Sequence, residues 1–157
     1  MADPTMESID HGIRMNQAGD RAGARAHFEV LWKTVADGGS PLERCALAHS
    51  MADVQDDDDQ ELMWDLRALE AADEVTDAMI ESVGMSGGTA ALYPSLHLNL
   101  ADVYRRLGRP DDAAGHVARG RATVDALGDT GYGNMIRQAL DRIASDLDGR
   151  GGDRRDR

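Results

Sequence analysis

YPSLHLNLADVYRRLGRPDDAAGHVARGRATVDA, residues 93–126, is the stretch on which the fold turns. Leu96, Leu100, Val103, Tyr104 and Leu107 recur at spacings of three and four, which puts them on one face of a helix. Gly108, Arg109, Pro110 and Asp111 then break the pattern. Glycine suits the end of one helix and proline the first turn of the next. A second helix follows, with Ala113 and Val117 facing inward. The stretch reads as one helical hairpin.

Working outward, the same pattern recurs upstream. Taking Gly108 as the anchor, small and bulky residues precede it at minus seven and minus four (Ala101, Tyr104). Others follow at plus five and nine (Ala113, Val117). Gly19 anchors a second copy, with Gly12 and Met15 before it and Ala24 and Phe28 after. Gln55 anchors a third, with Ala48 and Met51 before it and Trp64 at plus nine. The interval from Gln55 to Gly108 exceeds a repeat unit of about 34 residues by about 19. That excess maps to residues 73–92, where the flexible run Gly84, Met85, Ser86, Gly87, Gly88 lies.

Local signals fit this division. Ser40, Pro41 and Glu43 spell a helix start with a capping box. Asp56, Asp57, Asp58 and Asp59 suit a helix N-terminus, where free amides and the dipole favour negative charge. The expected helix from about residue 58 buries Leu62, Leu66 and Leu69, with Met63 and Trp64 to one side. Residues 36–40 read as a loop. After the glycine-rich residues 127–133, which would let Tyr132 turn inward, Met135, Ile136, Ala139, Leu140, Ile143, Ala144 and Leu147 define a last amphipathic helix over 132–148. Residues 149–157 read as a disordered, charged, glycine-rich tail.

At three places, then, the chain resembles the tetratricopeptide repeat. The resemblance is to a small single-domain actinobacterial type, carried by HSMADVQDD (residues 49–57) and by residues 93–108. It implies an all-α fold of antiparallel helical hairpins, stacked as about three repeats (5–38, 41–72 and 94–127). An insertion at 73–92 and a C-terminal capping helix complete one domain over residues 1–148. The family's large aromatic early in the first helix of each unit is Ser8, Arg44 or His97 here. The middle copy also carries Gln60 where a small residue belongs.

Composition bounds the function. The chain has 157 residues, a net charge of -12 and a single lysine, Lys33. So acidic a chain repels phosphate backbones and acidic lipid surfaces, so neither nucleic acid nor a membrane is an expected partner. Cys45 is the only cysteine, so there is no disulfide framework. No apolar run reaches the roughly 20 residues of a membrane span. The start lacks the apolar core of a signal peptide. A cytoplasmic location is the expectation.

The resemblance also implies a concave groove lined by first-helix residues, among them Ile9, Ile13, Asn16, Cys45, Ala52, Ser95 and Leu98. His49, Asp53, Asn99, Asp102 and Arg105 are the expected ligand contacts. The groove would be acidic and hold a peptide or protein segment of basic or polar character. Self-association of the repeat edges is the other partner this architecture admits. No cofactor or metal is expected. His49 and Asp53, four apart on one helix face, could hydrogen-bond. They give the alternative reading, a small enzyme or small-molecule binder with an acid–base pair; the bland reading is a surface pair that fixes local geometry. His97 is expected to pack between helices with one ring nitrogen bonded. Cys45 reads as a small buried residue.

Overall fold

The computed structural model describes residues 3–155, with side chains described for residues 3–149. Every regular element among them is helical: α1 (Pro4–Gln17), α2 (Arg21–Gly38), α3 (Pro41–Asp53), α4 (Asp58–Ala72), α5 (Asp77–Ser82), α6 (Tyr93–Arg106), α7 (Pro110–Thr123) and α8 (Gly131–Arg155). Single 3-10 turns cover Thr89–Leu92 and Val124–Leu127. The three expected hairpins are α1/α2, α3/α4 and α6/α7, each pair packed against itself. The chain divides between Thr89 and Ala90 into two compact units, inside the insertion, where one domain was expected. α1 to α5 make the first unit and α6 to α8 the second.

In the first unit, α2 packs on α1 and α3, and α1 also touches α3. Its core holds Ile9, Phe28, Leu47, Met51 and Ile80, each almost wholly buried. Gly12 is required by the packing of α1 on α2. A Cβ there would lie 2.2 Å from Cε1 of Phe28, far inside van der Waals contact. In the second unit, α8 closes over α6 and α7 through Ala101, Val117 and Ile143, with Val124, Ile136 and Leu140 as a second cluster.

The hairpin turns are built alike in two copies. Gly19 and Gly108 have φ of 94° and 73°, a left-handed conformation that side chains resist. In each copy the next amide, Asp20 or Arg109, donates 2.9 Å to the carbonyl five residues back, on Met15 or Tyr104. The middle copy has no glycine there. Instead the side chain of Gln55 donates Nε2 to the carbonyl of Met51, 3.0 Å away. Met51 is the counterpart of Met15 and Tyr104, so a side-chain amide stands where the later backbone amide does in the other copies, beside a 3.3 Å bond from the Val54 amide to the same carbonyl.

The other helix starts follow the sequence. Ser40 accepts from the Glu43 amide (3.2 Å) while Glu43 accepts from the Ser40 amide (3.3 Å), closing the capping box. Asp57 caps α4, accepting from the Asp59 amide at 2.8 Å. Asp3 caps α1.

Several expectations are corrected. α2 runs on through Gly38, so the loop expected at 36–40 shortens to Gly39 and Ser40. α4 does stop at Ala72, where the middle repeat was expected to end, and the insertion at 73–92 holds α5, a glycine loop and a 3-10 turn. α4 buries Trp64, Asp65, Ala68, Ala71 and Ala72 instead of the leucine face, and Leu66 is 40% exposed. The reason is the turn. α4 starts three residues after its anchor while α2 and α7 start two after theirs, so every later position shifts by one. Asp65, not Trp64, therefore stands where Phe28 and Val117 stand, and it is 2% exposed. Gln60 never occupies the small-residue position and lies exposed. Tyr132 and Met135 are half exposed and do not enter the core. Thr130 caps α8 instead, its hydroxyl accepting from the Gly133 amide at 3.0 Å. α8 extends through Arg155, so residues 149–155, expected as disordered tail, continue the helix. No proline falls there to stop it. The last two tail residues lie outside the described ones.

Candidate functional site

Of the five expected contacts, two fall in the first unit and three in the second. On α3, His49 is half-buried and Asp53, the last helical residue, is exposed. Protein crowding one side of the Asp53 carboxyl raises its pKa, while His49 and Arg21 both pull it back down. Arg21 was not part of the expected pair. It also bonds the carbonyl of Gln55 and pairs with Asp56 at 3.3 Å. Arg25 joins Asp56 at 2.8 Å. The two arginines thus fasten the start of α2 to the α3/α4 turn, and Asp53 sits within that electrostatic frame. The geometry suits holding the turn in place; Asp53 is already flanked by cationic and titratable neighbours of its own unit.

In the second unit the three remaining residues do come together. Asn99, Asp102 and Arg105 recur at helical spacing on α6 and line an open groove of about 370 Å³. Its opposite wall is α8, through Ala139, Arg142, Ile143 and Asp146, at spacings of three and four. Leu98 and Ile143 give it an apolar floor continuous with the core cluster beneath. Asp102 is clamped by Arg105 at 2.7 Å and Arg106 at 3.2 Å. Two carboxylates and two guanidiniums line the groove, so its wall is charge-balanced and not the acidic surface expected. The sequence implies α8 only as a capping helix, so it does not point to this wall. Its polar stripe of Arg142 and Asp146 was the available signal.

His97 is buried, as expected, and its partner is His116 on α7. The two Nδ1 atoms lie 3.0 Å apart, so one ring carries the hydrogen and the other accepts it. Tyr93 stacks on His97, and Tyr104 stacks on His116. Arg109 covers Tyr104, 4.7 Å from its ring centre. Burial lowers the His116 pKa, Arg119 lowers it further, and Asp112 opposes them. The first unit repeats this contact at the same separation of 19 residues. His27 Nε2 donates to the Ser8 carbonyl at 2.8 Å and lies 3.2 Å from the Ser8 hydroxyl. These bonds tie the two helices of a hairpin together. The sequence showed Ser8 and His97 as odd residues at one repeat position, without showing what answered them across the hairpin.

Cys45 is buried, and burial pushes its thiol up to about 12. It is protonated at neutral pH and no nucleophile. Among the described residues no three His, Cys, Asp or Glu side chains converge as a metal site, and no helix is long and apolar enough to cross a membrane. Compared with protein-family models, curated proteins and solved structures, the chain finds no match in any of the three.

Proposed function

We propose that this chain is a helical-repeat module of tetratricopeptide type that binds a peptide or protein segment, and that the α6/α8 groove holds it. The observation that carries the reading is the gathering of Asn99, Asp102 and Arg105 with Arg142 and Asp146 along one open groove over a Leu98/Ile143 floor. An extended segment offers a backbone carbonyl and amide at every residue, and an asparagine side chain can meet both. Fixed charges of both signs read the segment's polar side chains, while the floor takes an apolar one. The balanced wall favours a polar segment of mixed charge over a strongly basic one. A cytoplasmic setting, as expected from the sequence, fits this role.

The test is affinity capture from native lysate with the wild-type chain and an N99A/R105A variant side by side. A partner retained by the wild type should fall by about tenfold or more in the variant, as for contacts at the centre of an interface. Equal recovery on both would move the site elsewhere.

A further inference from the structure

A second groove lies wholly within the first unit and shares no residue with the one above. It is an open trough of about 580 Å³, lined by Asp3, Met6, Glu7 and Asp10 along α1 and by Ser82, Val83 and Met85 at the end of α5. Met6, Val83 and Met85 supply its apolar surface, and Met85 is 44% exposed. Unbranched methionines adapt to varied apolar side chains and mark surfaces that re-pack around a ligand. The three acids stand about one turn apart along one side of α1, spanning roughly 10 Å. None of the lining residues is basic.

The charge at one end is already crowded. Asp3 caps α1, Glu43 belongs to the capping box of α3, and the negative charge of Asp3 acts on the Glu43 carboxyl. Burial and that neighbour both raise the Glu43 pKa. A cationic group arriving here would meet Glu7 and Asp10, which enter no ion pair among the described residues, beside Asp3, whose carboxylate accepts from the Thr5 and Met6 amides.

We propose that this groove docks a basic amphipathic helix from a partner protein. Its lysines or arginines, one turn apart, face Asp3, Glu7 and Asp10, and its leucine-like side enters between Met6, Val83 and Met85. The interaction needs both chemistries at once: charge complementarity sets the orientation, and the methionine surface rewards an apolar stripe on the same helix.

The probe is a fluorescein-labelled synthetic peptide of lysine and leucine patterned as an amphipathic helix, with a scrambled peptide of the same composition as control. Binding is followed by anisotropy at about 150 mM salt, where long-range attraction to a net-negative chain is screened. The patterned peptide should bind at least tenfold more tightly than the scrambled one. E7Q/D10N should weaken it tenfold or more, and Met85→Ser several-fold. E29Q/D37N, which removes the same charge from α2 outside the groove, should leave it unchanged. Circular dichroism confirms that each variant keeps its helix content. Absence of binding, equal binding of both peptides, or equal weakening by the two charge-neutralised variants would overturn the proposal.

Discussion

The α6/α7 hairpin and the α3/α4 hairpin perform one structural task by different means. In α6/α7 a glycine enters left-handed space and a backbone amide closes the turn on the Tyr104 carbonyl. In α3/α4 no glycine is present, and the amide of the Gln55 side chain reaches the equivalent carbonyl. What persists between them is the carbonyl that must be satisfied, not the residue that satisfies it. The second difference is one extra residue before α4, which rotates the buried face and puts Asp65 in a slot held elsewhere by Phe28 or Val117. A repeat read by residue type alone goes wrong in the middle copy for that reason.

Three experiments probe how each hairpin is held together. Both tryptophans lie in the first unit and all three tyrosines in the second, so the two units can be followed separately during unfolding. The largest effect is expected from Gly12→Ala. Although alanine is the better helix former, its Cβ would collide with the Phe28 ring, and overpacking of this kind costs about 1–3 kcal/mol. The tryptophan-monitored urea midpoint should fall. Gly115→Ala on α7 is the control, because nothing lies within 4 Å of the added carbon. It should raise stability by roughly 0.5–1 kcal/mol. If both changes stabilise, the close approach of α1 to α2 is wrong.

The turns come next. Gly108→Ala should cost about 1–2 kcal/mol, the penalty of left-handed backbone in a residue with a Cβ. Gln55→Ala should cost about 0.5–1.5 kcal/mol, the net value of one hydrogen bond. Gln55→Gly, which permits the backbone version of the cap, should recover part of that loss. A Gln55→Gly protein less stable than Gln55→Ala would show that the two turns are not interchangeable.

The smallest effect concerns acid. His116 is held below its ordinary pKa mainly by burial, so the unfolded chain takes up a proton before the folded one does. The stability this group supports is complete above the ordinary histidine value, near 6.5, and is lost as pH falls from there toward the lowered folded value. The tyrosine-monitored midpoint should drop between pH 7.5 and 5.5, and His116→Gln should flatten that dependence. A variant that keeps the full slope would place the acid sensitivity in other groups.

How much of this was legible beforehand depended on whether a feature is local. The hairpin boundaries, the capping box at Ser40 and the helix start at Asp57 follow from neighbouring residues, and the helical class follows from apolar spacing. The face of α4 did not, because it depends on where a turn ends to within one residue. The aspartates at 56–57 gave no sign of that. Asn99, Asp102 and Arg105 were legible as one stripe of α6. The wall that makes them a groove comes from α8, more than thirty residues later, and nothing in local spacing joins the two. His49 and Asp53 were legible as a pair, but their frame is set by Arg21, which the sequence places on another helix. The acidic trough was missed because its acids belong to α1 and its methionine surface largely to the insertion.

We propose that the α6/α8 groove holds a polar peptide segment. The most direct test begins with a random peptide library displayed on phage and selected against the folded chain. The best peptide is then titrated into isotopically labelled protein by NMR. The largest shifts should fall on Asn99, Asp102, Arg105, Arg142 and Asp146, and N99A/R105A should abolish them. Failure to enrich any peptide, or shifts confined to other helices, would contradict it.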